Sequence, residues 1–215
     1  MKALLIYSGG MDSTVLLNKY KNDIKLAVSF DYGSKHNKTE IRYAIDNAVA
    51  LRIRHVTIPL LFIGEFFKSS LIQKDIAVPH GHYEDETMRS TVVPFRNGIM
   101  LSIAAGLAES NDLDTVLIAN HRGDSSIYPD CRAEFINPLT EAIKQGTYKN
   151  ISLLAPFTGI TKRDIALIGK ELGVDFSKTW SCYDPQSELH DGLCGTCIER
   201  REALEGFDNT TYANL

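Results

Sequence analysis

Eight residues near the start of the chain, 7–14, combine two glycines, three aliphatic hydroxyls and one carboxylate. They follow an apolar, strand-like run and precede a helix-like run. The backbone N–H groups of Gly9 and Gly10, together with the first turn of the helix, can therefore approach an anion closely. A carboxylate beside a phosphate requires a cation between the two, and Mg²⁺ is usually held by a carboxylate and phosphate oxygens. The stretch predicts a phosphate-binding loop in which Asp12 binds Mg²⁺.

The loop lacks the endings of the commoner phosphate motifs. No Gly-Lys-Ser/Thr closes it, and no third glycine follows Gly10 at the dinucleotide-binding spacing. An ordinary glycine-rich turn is the alternative, which a lone glycine pair would favour. The full hexamer resembles the SGGxDS loop of the N-type ATP pyrophosphatases (PP-loop superfamily), which grips the β,γ-pyrophosphate of ATP. The resemblance implies that ATP is bound by Ser8, Gly9, Gly10, Met11, Asp12 and Ser13.

Two cations stand at the predicted starts of helices, where a positive charge opposes the helix dipole. Arg96 precedes a strongly apolar helical run, and Lys162 follows the predicted N-cap Thr161. A facing phosphate explains such a cation better than helix stability does, although Arg96 could also be an ordinary surface arginine. We predict that Arg96 and Lys162 neutralise phosphate charge and, with Asp12, form the catalytic group.

Polar side chains also follow the second and fourth predicted strands, where ligands bind in parallel sheets. Asp31 and Tyr32 end the second strand; a strand-end turn is an equal alternative, and the superfamily resemblance favours an adenosine site. The stretch 120–132 mixes His, Asp, Tyr and Arg, which is typical of a substrate site. Asp130 could instead cap the next helix. The substrate candidates are His121, Asp124, Tyr128, Asp130 and Arg132.

A long stretch without periodicity, 77–91, lies between the third strand and the helix that follows Arg96. Loops of this length in a compact domain are usually functional or disordered. His80 and His82 could hold a metal ion, but a mobile lid over the site is the preferred interpretation.

Three of the four cysteines crowd near the C-terminus, and Cys194 and Cys197 form a C-x-x-C knuckle twelve residues after Cys182. Three thiolates need a fourth ligand to close a tetrahedral zinc site. Asp191 lies three residues before Cys194, which is the same spacing as that between Cys194 and Cys197. Histidine is the commoner partner of three cysteines in a zinc site, which favours His190, so both residues remain candidates. A redox pair is the alternative, but such a pair normally opens a helix in a thioredoxin-like unit. We predict structural zinc.

The elements that position these residues alternate between strand-like and helical runs, which predicts a doubly wound, mainly parallel, five-stranded α/β sheet. Strands are expected over 2–7, 25–30, 55–60, 114–120 and 151–156. The 215 residues are expected to form one compact domain. Within it, residues 1–178 would be the ATP pyrophosphatase body and residues 179–215 a small zinc-binding segment.

Composition restricts the class of function. The net charge is −4, so no general positive field attracts nucleic acid, and a small-molecule substrate is favoured. No apolar run reaches the length of a membrane span, and the N-terminus has too short an apolar stretch for a signal peptide. We therefore expect a cytoplasmic protein that binds neither nucleic acid nor membrane.

Taken end to end, the chain resembles the 7-cyano-7-deazaguanine synthases. The resemblance rests on the motifs 8–13, 30–33, 81–84, 92–97, 128–132, 179–183 and 194–200. It implies a Rossmann-like PP-loop fold that uses ATP, Mg²⁺ and Zn²⁺, in a homodimer. It also implies conversion of 7-carboxy-7-deazaguanine and ammonia, through an adenylated acid and an amide, to 7-cyano-7-deazaguanine in queuosine biosynthesis.

The chain departs from the family pattern at one zinc ligand, because the second of four expected cysteines falls on Asp191. The expected ligand set is Cys182, Asp191 (or His190), Cys194 and Cys197, and an oxygen ligand should weaken zinc binding. Three alternative functions remain open. They are a tRNA-modifying ligase of the superfamily, an amidating enzyme similar to NAD or GMP synthetase, and a relative that stops at the amide or attaches the deazaguanine to a macromolecule.

Overall fold

The computed structural model describes residues 1–83, 85–185 and 188–214 and contains a five-stranded sheet in the order β3-β2-β1-β4-β5. Every neighbouring pair of these strands is parallel, which confirms the predicted doubly wound sheet. Strands β4 and β5 are shorter than predicted. The strands are β1 (Ala3–Ile6), β2 (Ile24–Asp31), β3 (His55–Pro59), β4 (Thr115–Leu117) and β5 (Ser152–Leu154).

Helices connect the strands and cover both faces of the sheet. Thr161 caps one of them with a capping box that involves Asp164, as its position in the sequence predicts. Single 3₁₀ turns cover Glu86–Thr91, Pro129–Cys131 and Phe176–Lys178. The helices are α1 (Met11–Lys19), α2 (Asn37–Ala50), α3 (Leu61–Phe66), α4 (Arg96–Ser110), α5 (Asp124–Ile127), α6 (Ala133–Gly146), α7 (Lys162–Glu171) and α8 (Gly195–Ala203).

The core forms two apolar layers, one on each face of the sheet. Successive side chains of β1 alternate between them, because strand residues point to opposite faces. Leu4 belongs to the layer that contains Leu101 of α4, and Leu5 belongs to the layer that contains Leu16 of α1. All four side chains are fully buried, so the central strand is apolar on both faces, as parallel sheets require.

The strand order reverses beside β1, because β2 and β3 lie on one side of it and β4 and β5 on the other. In open parallel sheets, ligands bind in the crevice at this switch point, outside the carboxyl ends of the strands. The glycine loop leaves β1 at this crevice, so the fold places it where a ligand is expected.

The C-terminal residues pack against the sheet domain. The buried guanidinium of Arg200, on α8, donates hydrogen bonds to Thr179 Oγ1 at 2.8 Å, Ser181 Oγ at 3.0 Å and Phe176 O at 2.6 Å. The backbone N–H of Trp180 donates a hydrogen bond to Gly9 O at 3.0 Å. The tail is thereby joined directly to the glycine loop. Among the described residues, no helix is long and apolar enough to cross a bilayer.

Candidate active site

The glycine loop is held in a fixed conformation by its own side chains and by α2. Gly9 has φ +86°, and a Cβ there would lie 2.4 Å from Glu40 O and 2.7 Å from Ala44 N. The Gly10 N–H donates to Ser8 Oγ at 3.0 Å, and Ser13 Oγ–H donates to Gly10 O at 3.2 Å. Glycine is required at position 9 by both its backbone angle and its contact with α2.

A cavity extends from this loop, over the ends of β1, β2 and β4, to Arg96 at the start of α4. Eight of the predicted site residues line it: Ser8, Gly10, Asp12, Ser13, Tyr32, Arg96, Asp124 and Tyr128. Seven others are not part of the lining: Gly9, Met11, Asp31, His121, Asp130, Arg132 and Lys162. The structure therefore brings together residues from four separate predicted segments.

Lys162 is held between two carboxylates at the loop end of the cavity. Its ammonium lies 3.1 Å from Asp12 Oδ2 and 2.8 Å from Glu199 Oε2, and it is 10% exposed. Burial by itself lowers the pKa of Lys162, but the charges of Asp12, Glu199 and Asp124 outweigh burial and raise the pKa above its ordinary value. The lysine is therefore permanently charged, beside the loop that the sequence predicts to bind phosphate.

Asp12 has one carboxylate oxygen that is still available to a ligand. Its Oδ2 contacts Lys162, whereas Oδ1 is buried without a hydrogen-bond partner within the described part of the chain. A buried, unsatisfied carboxylate oxygen is costly unless something binds it. Oxygen ligands of this kind suit Mg²⁺, so the residues fit the predicted cation.

Asp124 and His121 form a second polar cluster beside the one formed by Asp12, Lys162 and Glu199. Asp124 Oδ1 accepts a hydrogen bond from the Tyr83 hydroxyl at 3.0 Å, and Oδ2 accepts one from the backbone N–H of His121 at 2.9 Å. The buried His121 ring lies 3.4 Å from Asp124 Oδ1 and 3.7 Å from Glu199 Oε1. The His121 ring therefore lies outside the cavity lining and helps to fix the carboxylates of Asp124 and Glu199.

Arg96 lies at the opposite end of the cavity and is the first residue of α4. The N-cap residue before it, Phe95, has a left-handed backbone conformation (φ 55°). The Arg96 guanidinium donates a hydrogen bond to the Tyr32 hydroxyl at 2.9 Å. It also faces the rings of Tyr32 at 5.4 Å and Tyr128 at 5.9 Å. No carboxylate of residues 1–83, 85–185 or 188–214 forms an ion pair with it, so its charge is available to an anionic ligand.

The predicted substrate stretch 120–132 does not act as one surface. The Tyr128 ring lines the cavity, and its hydroxyl lies 2.9 Å from Thr91 Oγ1. Asp130 accepts the Asn97 N–H at 2.8 Å, so it caps α4 rather than the helix after it. Arg132 is exposed, and its Nε donates to Ser125 O at 2.9 Å. The geometry thus separates Tyr128 from Asp130 and Arg132.

Other residues in the site were not predicted from the sequence. His36 and Glu40 line the cavity from α2 and the turn before it, and the His36 ring stacks on Tyr183 at 4.8 Å. Burial, together with the Arg96 charge, lowers the pKa of His36 to about 3, and burial raises the pKa of Glu40 to about 8. No local pattern marks these residues, although Tyr183 and Glu199 fall within motifs of the family resemblance.

Residues 77–83 and 85–91 lie along one side of the site. His80 pairs with Cys194 as an isolated bridge, and Tyr83 is buried against Asp124. His80 also lies near Asp184 and Asp191, whereas the exposed His82 ring is 3.5 Å from Glu202 Oε1. Glu84, part of one family motif, lies outside the described residues. The lid remains a prediction.

Ligand atoms of Cys182, Asp191, Cys194 and Cys197 lie within 4.8 Å of one another, and all four residues are buried. The sulfurs of Cys182 and Cys194 are 4.0 Å apart. Two sulfurs bound tetrahedrally at zinc–sulfur distances would be about 3.8 Å apart. Hydrogen bonding with Cys182 lowers the pKa of Cys194 and raises that of Cys197.

Of the two candidates for the fourth ligand, only Asp191 lies in this cluster. Asp191 Oδ1 accepts the N–H groups of Leu193 at 3.1 Å and Cys194 at 3.2 Å, which turns the carboxylate toward the sulfurs. His190 instead accepts the Ser181 N–H at 3.1 Å, and its ring packs on Trp180 at 4.4 Å. The ring nitrogen is therefore used in holding the tail to the domain.

Comparison with known proteins covers nearly the whole chain. The family model described as queuosine biosynthesis protein QueC matches residues 2–208. The 7-cyano-7-deazaguanine synthase of Porphyromonas gingivalis W83 is 55% identical over 202 residues, which cover 94% of this chain and 91% of that protein. The 7-cyano-7-deazaguanine synthase of Desulfotalea psychrophila is 50% identical over 215 residues, which cover 98% of each.

Similarity to solved structures extends the comparison to the fold alone. The NMN synthetase of Francisella tularensis superposes with a TM-score of 0.51 at 14% sequence identity, over 98% of this chain and 79% of that one. At this level of identity, the likeness supports the parallel α/β fold and says nothing of substrate.

Proposed function

Because this chain belongs to the QueC family of queuosine biosynthesis proteins, we propose that it is an ATP-dependent ligase that makes 7-cyano-7-deazaguanine from 7-carboxy-7-deazaguanine and ammonia. One geometric observation supports this most directly. A single cavity joins a rigid glycine loop, suited to pyrophosphate, with Arg96 at its other end, which forms no ion pair within the described residues and is suited to a second anion. An adenylating enzyme must bind an anionic acid and a nucleotide in this way.

The chemistry follows from the poor electrophilicity of a carboxylate. Transfer of AMP to the acid, with departure of pyrophosphate into the loop of Ser8–Ser13, creates a good leaving group. Ammonia then displaces AMP and gives the amide. A second adenylation activates the amide oxygen, and loss of AMP leaves the nitrile. The protein contributes mainly position and charge neutralisation.

Three charged residues carry these roles in our proposal. Mg²⁺, when bound by Asp12 and phosphate oxygens, would neutralise charge on the departing pyrophosphate. The Lys162 ammonium, 3.1 Å from Asp12, supplies fixed positive charge at the same end. Arg96 binds the carboxylate of the acid or the α-phosphate that joins it, with Tyr32 fixing the guanidinium. Ser8, Gly10 and Ser13 provide donors to the pyrophosphate.

The deazaguanine ring is proposed to lie among the aromatic residues near Arg96. Tyr128 lines the cavity there and offers a face for stacking. Asp124 lines the same cavity with a carboxylate held by Tyr83 and His121. Asp130 and Arg132 are weaker candidates, since their polar groups already bind Asn97 and Ser125. Asp31, which lies outside the cavity lining, and Tyr32, whose hydroxyl accepts a hydrogen bond from Arg96, are weaker candidates for an adenosine site.

We also propose that Cys182, Asp191, Cys194 and Cys197 hold a structural zinc ion. The four residues are buried and close together, and the sulfur separation fits tetrahedral coordination. The homodimer and the cytoplasmic location expected from the family resemblance remain proposals. So does the absence of nucleic-acid binding, which the net charge of −4 supports. The names of the relatives favour a complete synthase over one that stops at the amide.

The test is product mass by liquid chromatography after incubation with ATP, Mg²⁺, ammonium and 7-carboxy-7-deazaguanine. The expected result is the nitrile together with AMP and pyrophosphate. Arrest at the amide would limit the proposal to the first half of the reaction. No AMP from folded, zinc-loaded protein would refute the substrate assignment.

A further inference from the structure

Glu199 is a largely buried carboxylate, 15% exposed, that contacts the proposed catalytic lysine. Its Oε2 accepts a hydrogen bond from Lys162 Nζ at 2.8 Å, a shorter distance than the 3.1 Å between Lys162 Nζ and Asp12 Oδ2. The Lys162 ammonium therefore has two carboxylate partners, which come from opposite ends of the chain.

The two partners differ in where they face. Asp12 lines the cavity that runs to Arg96, whereas Glu199 lies outside that lining. The loop at Gly123 packs closely against Glu199, since a Cβ on Gly123 would lie 3.1 Å from Glu199 Oε1. Glu199 is thus placed to contact Lys162 and not a ligand in the cavity that runs to Arg96; with Lys162 it lines a second cavity on the other side.

We propose that Glu199 is a positioning residue that keeps the Lys162 ammonium at the nucleotide end of the cavity while Asp12 is engaged by a divalent cation. The inference rests on the proposed function. A cation bound to Asp12 repels the neighbouring ammonium and takes the negative charge that Asp12 shares with it. The Glu199 carboxylate then still holds the Lys162 ammonium in place against that repulsion, near the point at which pyrophosphate departs.

The cysteine cluster lies close enough to determine where Glu199 stands. Helix α8 begins after Cys194, contains Cys197 in its first turn and carries Glu199 two residues later. The position of α8 is therefore fixed by the same residues that we propose as metal ligands. This gives the cluster a role in placing Lys162 as well as in holding the tail.

The test compares Glu199→Gln with Glu202→Gln, a matched control on the same helix whose side chain is 59% exposed. Glu199→Gln keeps the size of the side chain and removes its charge. We expect the kcat of AMP formation to fall about tenfold or more, because a displaced Lys162 ammonium stabilises the departing pyrophosphate less well. The KM for 7-carboxy-7-deazaguanine, zinc content and melting temperature should match those of Glu202→Gln.

A double-mutant cycle separates positioning from general structure. If Glu199 acts through Lys162, the Glu199→Gln/Lys162→Met protein should be no slower than Lys162→Met alone, within about twofold. Multiplicative losses would overturn the proposal, as would a Glu199→Gln protein as active as Glu202→Gln. A wild-type protein that forms no AMP would instead refute the proposed function. If Glu199→Gln does not fold, Glu199→Asp replaces it in the comparison of kcat values and in the double-mutant cycle.

Discussion

Replacement of Gly9 by alanine should destabilise the protein before any ligand is considered. The residue has φ +86°, a conformation that costs an L-residue roughly 1–2 kcal/mol. The added Cβ would also lie 2.4 Å from Glu40 O and 2.7 Å from Ala44 N, both backbone atoms of α2. Such overpacking typically costs about 1–3 kcal/mol. The two effects together predict a loss of about 2–5 kcal/mol in the free energy of unfolding.

Scanning calorimetry of the ligand-free protein measures this effect directly. For a chain of this size, about 2–4 °C of melting temperature corresponds to each kcal/mol, so Gly9→Ala should melt roughly 4–20 °C below wild type. Gly159→Ala is the matched control, because nothing lies within 4 Å of its added Cβ. It should be neutral or slightly stabilising. Equal melting temperatures for the two variants would refute the steric reasoning.

Four further predictions concern single side chains. Asp191→Cys should bind zinc about tenfold or more tightly, since thiolate is the softer ligand; chelator competition measures this. Arg96→Met should raise the KM for the carboxylate substrate about tenfold or more, because a charge-assisted contact is lost; steady-state kinetics measure this. Arg200→Met should lower the free energy of unfolding by about 3 kcal/mol in urea titrations, since it strands buried acceptors. Glu40→Gln should gain stability over wild type as pH rises from about 4.5 to about 8.

The sign of the Glu40 prediction follows from its raised pKa of about 8. Between pH 4.5 and pH 8 the unfolded chain loses this proton while the folded protein keeps it, so wild-type stability falls with pH. Melting curves of both proteins should converge near pH 4; parallel curves at every pH would contradict the reasoning.

Arg201→Met, on the exposed side of α8, is the control for Arg200→Met, and equal losses of stability from the two would contradict the argument that Arg200 matters through its buried hydrogen bonds.

Local chemistry made the glycine loop predictable. Its residues are consecutive, and a strand, the full Ser-Gly-Gly-Met-Asp-Ser hexamer and a helix start predict an anion site from local sequence alone. The capping box at Thr161 was predictable for the same reason, because Thr161 and Asp164 are three residues apart. Strands β4 and β5 were predicted too long, since apolar composition continues beyond the residues that find a hydrogen-bonded neighbour.

The fourth candidate metal ligand shows what spacing alone leaves open. Asp191 and His190 are adjacent, and the sequence supports one by its knuckle spacing and the other by its chemistry. Packing decides between them, because the His190 ring is held on Trp180 by contacts that bring distant segments together. Asp191 is turned toward the sulfurs by the N–H groups of the following turn.

The sequence by itself determined the alternation of strands and helices, the position of the glycine loop between a strand and a helix, and the family, because each depends on residues near one another in the chain or on motifs as a whole. Only the tertiary structure decided the partners of Lys162, which are Asp12 and Glu199. It also decided that Asp130 caps α4 and that His36 and Glu40 face the cavity. These contacts join segments far apart in sequence, and no local pattern encodes a distance between side chains that only the folded sheet brings together.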